Sequence, residues 1–120
     1  PVEDLETVIT VDELLQIQAE VQQVAVSEAV RRYIVQLVDE TRRHPNIYLG
    51  ISPRGALALL RAAQGYAYLQ ERDYVLPDDV KRLVCDTFAH RLILQQEARI
   101  SGWREKDVLE GIVKKVPVPV

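Results

Sequence analysis

Methionine is absent from this 120-residue sequence, and cysteine, tryptophan and phenylalanine occur once each. A solitary Cys85 rules out an intrachain disulfide. With so little aromatic and sulfur-bearing bulk, the interior has to be filled by Leu, Val, Ile and Ala, which suits tightly packed helices. Basic excess is also lacking. The formal net charge is −3, whereas non-specific nucleic-acid binding needs a positive footprint, so no nucleic-acid partner is expected. No apolar run reaches the length of a membrane span, so no membrane partner is expected either. The opening "PVEDLETV" is acidic and polar and does not read as a signal peptide. Together with the single thiol, it makes the cytoplasm the expected location. A first residue of Pro in place of Met suggests a piece of something longer, or processing.

Chemical motifs are equally scarce. There is no H-E-x-x-H and no cluster of Cys or His, so no metal site is expected. Neither G-x-x-x-x-G-K-[ST] nor G-x-G-x-x-G occurs, so the chain has no glycine loop of its own to cradle phosphates and is not expected to be an enzyme by itself. His44 and His90 fall on separate helices, and His90, beside Arg91, reads as a hydrogen-bonded helix residue. Cys85 sits on an apolar-leaning face and reads as buried. Asp78, Asp79 and Asp107 read as charges placed at helix starts, where the dipole favours them.

What the sequence does hold is helical periodicity over 48% hydrophobic and 28% charged residues, in a length suited to one domain. Thr10 and Glu13 make a capping box for a first helix over 11–22, with Leu14, Ile17, Val21 and Val24 at helical spacing. Ser27 caps a second helix with an inner stripe of Val30, Tyr33, Ile34, Leu37, Val38 and Thr41, stopped at His44-Pro45-Asn46. "IYLG" reads as a connector. Ser52-Pro53 starts a third helix running to about residue 71. Tyr74-Val75 reads as a short extended pair, and Pro77 as the first turn of a fourth helix with core residues Val80, Leu83, Val84, Phe88 and Leu92. "QQEARISG" alternates weakly, as a small hairpin arm would. A last helix carries Val108, Leu109, Ile112, Val113 and Val116 before "PVPV". The expected fold is all-α, a compact bundle of four to five helices with at most a minor strand pair.

One residue sits against the electrostatic grain. Arg54 lies in the first turn of the third helix, where the dipole opposes a cation by about 0.3–1 kcal/mol. The sign reverses if an anion sits there, because first-turn amides and a guanidinium would then converge on it, and a phosphate suits the planar fork best. A solvated or carboxylate-paired arginine is the plainer alternative. Arg54, Ala58, Arg61, Gly65, Tyr68 and Arg72 share one stripe of this helix, with Ala58 and Gly65 leaving room for another surface. Leu57, Leu60 and Ala67 are expected to feed the core.

"LGISPRGALALLRAAQ", then "RDYVLPDDVKRLV", "AHRLIL" and the closing "VPVP" resemble the C-terminal lid of MoxR-type AAA+ ATPases. So do "VSEAVRRYIVQLVDETRRHP" and the leading "DELLQIQAEV". The similarity spans nearly the whole chain, which implies that residues 1–120 form a single lid domain. It implies that the G-x-S-P-R segment is the sensor 2 motif: Arg54 reaches the γ-phosphate of ATP, and Gly50, Ser52 and Pro53 set the turn, cap and entry that aim it. It implies a parent ATPase that uses ATP and Mg²⁺, with the phosphate loop, Mg²⁺-coordinating acids, sensor 1 and arginine finger in an upstream α/β domain. It also implies an oligomeric ring and a chaperone-like action on a client complex, and it leaves open whether Arg54 serves its own site or a neighbour's. Tyr33 is open to two readings, core or adenine-lining. Two residues depart from the family pattern, Leu76 and Arg104, each where a hydroxyl cap is usual. Without the resemblance, the Arg54, Arg61, Gly65 and Tyr68 stripe reads as the partner surface of a free-standing helical interaction module.

Overall fold

The computed structural model describes residues 9–119. The acidic opening segment therefore lies outside the described residues, as does Val120.

The described residues form six helices and one two-stranded ribbon: α1 (Val11–Gln22), α2 (Glu28–Arg43), β1 (Ile47–Leu49), α3 (Pro53–Leu69), α4 (Pro77–Phe88), β2 (Ile93–Leu94), α5 (Gln96–Ile100) and α6 (Glu105–Lys115). The expected all-α bundle with a minor strand pair is what forms. Helix α2 shows why sequence periodicity works here. The buried residues are Val30, Tyr33, Ile34, Leu37, Val38 and Thr41, the stripe expected from a 3.6-residue repeat. The Ser27 hydroxyl accepts from the Val30 amide at 3.2 Å, satisfying one donor that a helix start leaves open. Across from this stripe, α3 contributes Leu59, Ala63 and Ala67, α4 contributes Val80, Val84 and Phe88, and α6 contributes Val108, Leu109 and Ile112. Each large apolar side chain sealed this way contributes about 1.5–3 kcal/mol relative to exposure.

Four expectations need correction. "IYLG" is not a bare connector: β1 pairs antiparallel with β2, Ile47 facing Leu94 and Leu49 facing Ile93. "QQEARISG" is not a hairpin arm but mostly helix α5. Its strand lies one step earlier, at Ile93–Leu94, because the register of β1 selects those residues as partners. Helix α1 buries none of its residues. Leu14 and Ile17 stay 47% and 38% exposed, since α1 meets the bundle mainly through α3. Of the three α3 residues expected to feed the core, Ala67 is buried and Leu60 packs against the core, but Leu57 is 48% exposed, and the centre of the buried face is the 59, 63, 67 repeat. Tyr74 does extend, forming an isolated parallel bridge with Ala25.

The two uncapped helix starts keep half of a capping box. The Leu76 amide donates to the Asp79 carboxylate at 2.7 Å, and the Arg104 amide to Asp107 at 3.1 Å. A carboxylate three residues in thus serves an orphan donor that the missing hydroxyl leaves unaided by reciprocity.

The ribbon positions the start of α3. It runs β1 into Gly50, and it holds the end of α4 beside the first turn of that helix. The Arg91 stem consequently lies against this turn, its Cδ 3.5 Å from where a Cβ on Gly55 would sit.

Candidate functional site

Arg54 stands where the sequence places it, in the first turn of α3. Ser52 is the N-cap, with extended backbone, and its hydroxyl accepts from the Gly55 amide at 3.2 Å. Pro53 follows at the first helical position, and no acidic residue occupies the first turn. Arg54 is exposed. Among the described residues it forms no ion pair and no side-chain hydrogen bond, and its charge faces outward at the positive end of a helix.

The turn before it is held firmly. Gly50 packs so closely on the last turn of α2 that a Cβ there would lie 2.9 Å from the Thr41 carbonyl oxygen and 2.9 Å from Arg42 Cγ. Only glycine permits that approach without a shift. Ile51 is wholly buried, and both its backbone polar groups are taken by side chains. Its amide donates to Thr41 Oγ1 at 3.0 Å, and its carbonyl accepts from Arg42 Nε at 3.0 Å. Gly50, Ser52, Pro53 and Arg54 are therefore brought into one rigid turn. In sequence Thr41 reads as part of the inner stripe of α2 and Arg42 carries no site role. The available signal was a hydroxyl on an otherwise apolar stripe, which is buried only when it has a partner.

The wider stripe of α3 is largely spoken for. The Tyr68 hydroxyl donates to a Glu20 carboxylate oxygen of α1, which raises the Tyr68 pKa, the hydrogen bond being the main cause. Arg61 donates to Gln64 Oε1 at 3.2 Å, and Gln64 in turn donates to the Val24 carbonyl at 2.9 Å. Arg72 grips the buried Asp79 with two bonds, 2.7 and 2.9 Å, and donates to the Tyr74 carbonyl at 3.0 Å. Burial alone would raise the Asp79 pKa, yet the bonds from Arg72 and the Leu76 amide outweigh it and hold the carboxyl below its ordinary value. A Cβ on Gly65 would meet nothing within 4 Å, so no neighbour within the described residues uses that gap.

Other sequence candidates resolve as structural. Tyr33 is 1% exposed, which makes it core, not an adenine wall. Its hydroxyl has no partner among the described residues, and burial, then the nearby Asp78, pushes its pKa up. Cys85 packs against the core, and burial raises its thiol above the ordinary range, the condition of an unreactive cysteine. His44 caps the end of α2, and its Nδ1 accepts from the Asn46 amide at 3.0 Å. His90 lies in the turn after α4 and is exposed. Among the described residues no group of three or more His, Cys, Asp or Glu is placed to hold a metal ion. No helix among them is long and apolar enough to cross a membrane.

The whole is a small helical bundle with a ribbon-braced turn whose guanidinium forms no ion pair and no side-chain hydrogen bond among the described residues. A family model described as "AAA lid domain" matches residues 39–112, and the chain belongs to that family. The segment matched runs from the last turns of α2 through most of α6, and so includes the braced turn and Arg54. Two curated relatives refine the assignment. The uncharacterized protein YeaC of Bacillus subtilis (strain 168) is 44% identical over 120 residues, covering 100% of this chain and 38% of that one. The chaperone MoxR1 of Mycobacterium tuberculosis is 28% identical over 121 residues, covering 93% of this chain and 32% of that one. A solved structure of a candidate ATPase from Cytophaga hutchinsonii superposes with a TM-score of 0.85 at 34% identity, over 91% of this chain and 36% of that one. The domain is a lid of the MoxR type of AAA+ ATPase. It spans between 32% and 38% of the length of these relatives.

Proposed function

We propose that this domain is the lid of an ATP-hydrolysing MoxR-type protein and that Arg54 is its sensor 2 arginine. In this reading residues 1–120 form a single lid domain, preceded by an α/β ATPase domain that supplies the phosphate loop and the Mg²⁺ ligands. The observation that carries the reading is the state of Arg54: exposed, in the first turn of a capped helix, with no carboxylate partner among the described residues. A cation in that position is disfavoured by the dipole unless an anion joins it.

The residues fit a triphosphate. The guanidinium offers a planar fork, and the Arg54 amide, the first-turn N–H that Ser52 leaves free, adds partial positive charge, since Gly55 and Ala56 donate to Ser52 and Pro53 has no N–H. Bound ATP supplies the transferable γ-phosphoryl group, on which negative charge spreads in the transition state. Arg54 orients and neutralises part of that charge, and Ser52, Pro53 and Gly50 fix the direction from which it does so. Because the turn is rigidly tied to α2, movement of Arg54 toward phosphate moves the bundle with it. Nucleotide state then becomes lid angle, which ring contacts with neighbouring protomers and a chaperone-like action on a client complex can exploit. The relative named chaperone MoxR1 supports the last step.

The test is Arg54→Ala in the full-length ATPase. Turnover is expected to fall on the order of 100-fold, with the thermal unfolding midpoint unchanged, because the side chain is exposed and forms no ion pair or side-chain hydrogen bond among the described residues. Unaltered turnover would remove the sensor role.

A further inference from the structure

We propose that Thr41 is a positioning residue for Arg54: its single hydroxyl sets the orientation of the turn from which the guanidinium reaches phosphate. The inference rests on the sensor reading of Arg54 and extends it to a residue on another helix.

Thr41 is 0% exposed, in the last turn of α2. Its hydroxyl donates to the Val38 carbonyl at 2.6 Å and accepts from the Ile51 amide at 3.0 Å. One oxygen thus joins the end of α2 to the residue before the N-cap of α3. The next residue, Arg42, holds the opposite face of the same peptide segment through the Ile51 carbonyl. With amide and carbonyl both fixed, Ile51 has no freedom to rotate about the chain axis. Its side chain then transmits the constraint forward, since Ile51 Cγ2 is 2.7 Å from where a Cβ on Gly55 would sit. From α2 to Ile51 to the first turn of α3 the contacts are continuous, and Arg54 is the side chain that turn presents.

A valine at 41 keeps the shape and deletes the bond. The Ile51 amide is then buried with no acceptor, and the peptide turns to find one. Rotation three residues upstream swings the root of a long side chain, and phosphoryl-transfer geometry tolerates little displacement. A serine at 41 keeps the hydroxyl and restores the bond.

The experiment uses the full-length ATPase with Thr41→Val, Thr41→Ser, Arg54→Ala and the Arg54→Ala/Thr41→Val double variant. Steady-state kcat and KM for ATP are measured alongside thermal unfolding. Thr41→Val is expected to lower kcat about 10-fold with KM little changed. Thr41→Ser is expected to sit near the unsubstituted protein. In the Arg54→Ala background Thr41→Val is expected to cost nothing further, because Thr41 acts only through Arg54. Two results overturn the inference: kcat unmoved by Thr41→Val, or losses that multiply in the double variant. If Thr41→Val fails to fold, Arg42→Ala decides. Its side chain is exposed, it releases the Ile51 carbonyl, and kcat at the unsubstituted level would overturn the inference. Unchanged turnover in Arg54→Ala sinks the sensor reading and this one with it. A slowed Arg54→Ala beside an unaffected Thr41→Val sinks this one alone.

Discussion

The contrast between Arg54 and Arg72 shows how little residue type alone decides. Both fall on the stripe the sequence projects along the third helix, although α3 ends at Leu69 and Arg72 lies just beyond it. Arg72 is spent on Asp79, whose side chain is only 4% exposed, and together they tie the end of α3 to the start of α4. Arg54, at the other end of the helix, is left facing outward. Removing the Asp79 charge with Asp79→Asn is expected to cost about 1.5–3 kcal/mol, the range for hydrogen bonds to charged groups. Arg72 remains partly in water, which keeps the cost below that of a sealed ion pair. A urea unfolding midpoint at pH 7 checks it. The pH dependence has a definite sign. The folded pKa of Asp79 is depressed, so its stabilisation is complete above its ordinary value of 3.8 and fades as pH falls through the lower folded value. The gap between the two proteins should therefore narrow as the solution is acidified toward that range. A gap that widens on acidification would contradict the assignment. In sequence Asp79 reads as a first-turn helix charge, which it is. Its bond to Arg72 spans seven positions across a turn and has no local signature.

At the scale of elements, the helices were legible and the ribbon was not. α2 is recoverable residue by residue because its cap, apolar stripe and Pro stop are all local. The β1–β2 ribbon pairs residues more than forty positions apart, and two short apolar runs carry no mark of which partner they will take. α5 escapes a sequence reading for a related reason, a five-residue helix being too short to show a period. The glycines separate the two kinds of information. Gly65 looks in sequence like a gap kept for a close neighbour, yet nothing among the described residues enters it. Gly65→Ala is expected to raise the stability of this chain by about 0.5–1 kcal/mol, the helical advantage of Ala. Gly50→Ala forces backbone against the Thr41 carbonyl and is expected to lower it by about 1–3 kcal/mol. Thermal melts of the two variants should move in opposite directions, and a destabilising Gly65→Ala would mean that the gap is filled after all.

For the molecule as a whole, the proposed function makes the Arg54 turn half of a site. One guanidinium and one free first-turn amide offer too few contacts for tight nucleotide binding, so the 120-residue chain by itself is expected to show no micromolar affinity for ATP in calorimetry. Micromolar binding would show that the chain holds a complete site. Sequence alone determined the helix set, the Ser52-Pro53-Arg54 start and the resemblance to MoxR-type lids, because caps, proline stops and 3.6-residue stripes act within a few positions along the chain. Tertiary structure alone decided which polar groups were consumed in building the bundle and which remained for a ligand. That outcome depends on residues distant in sequence meeting in space: Arg72 met Asp79, Tyr68 met Glu20, Thr41 met the Ile51 amide, and Arg54 formed no ion pair or side-chain hydrogen bond with any described residue.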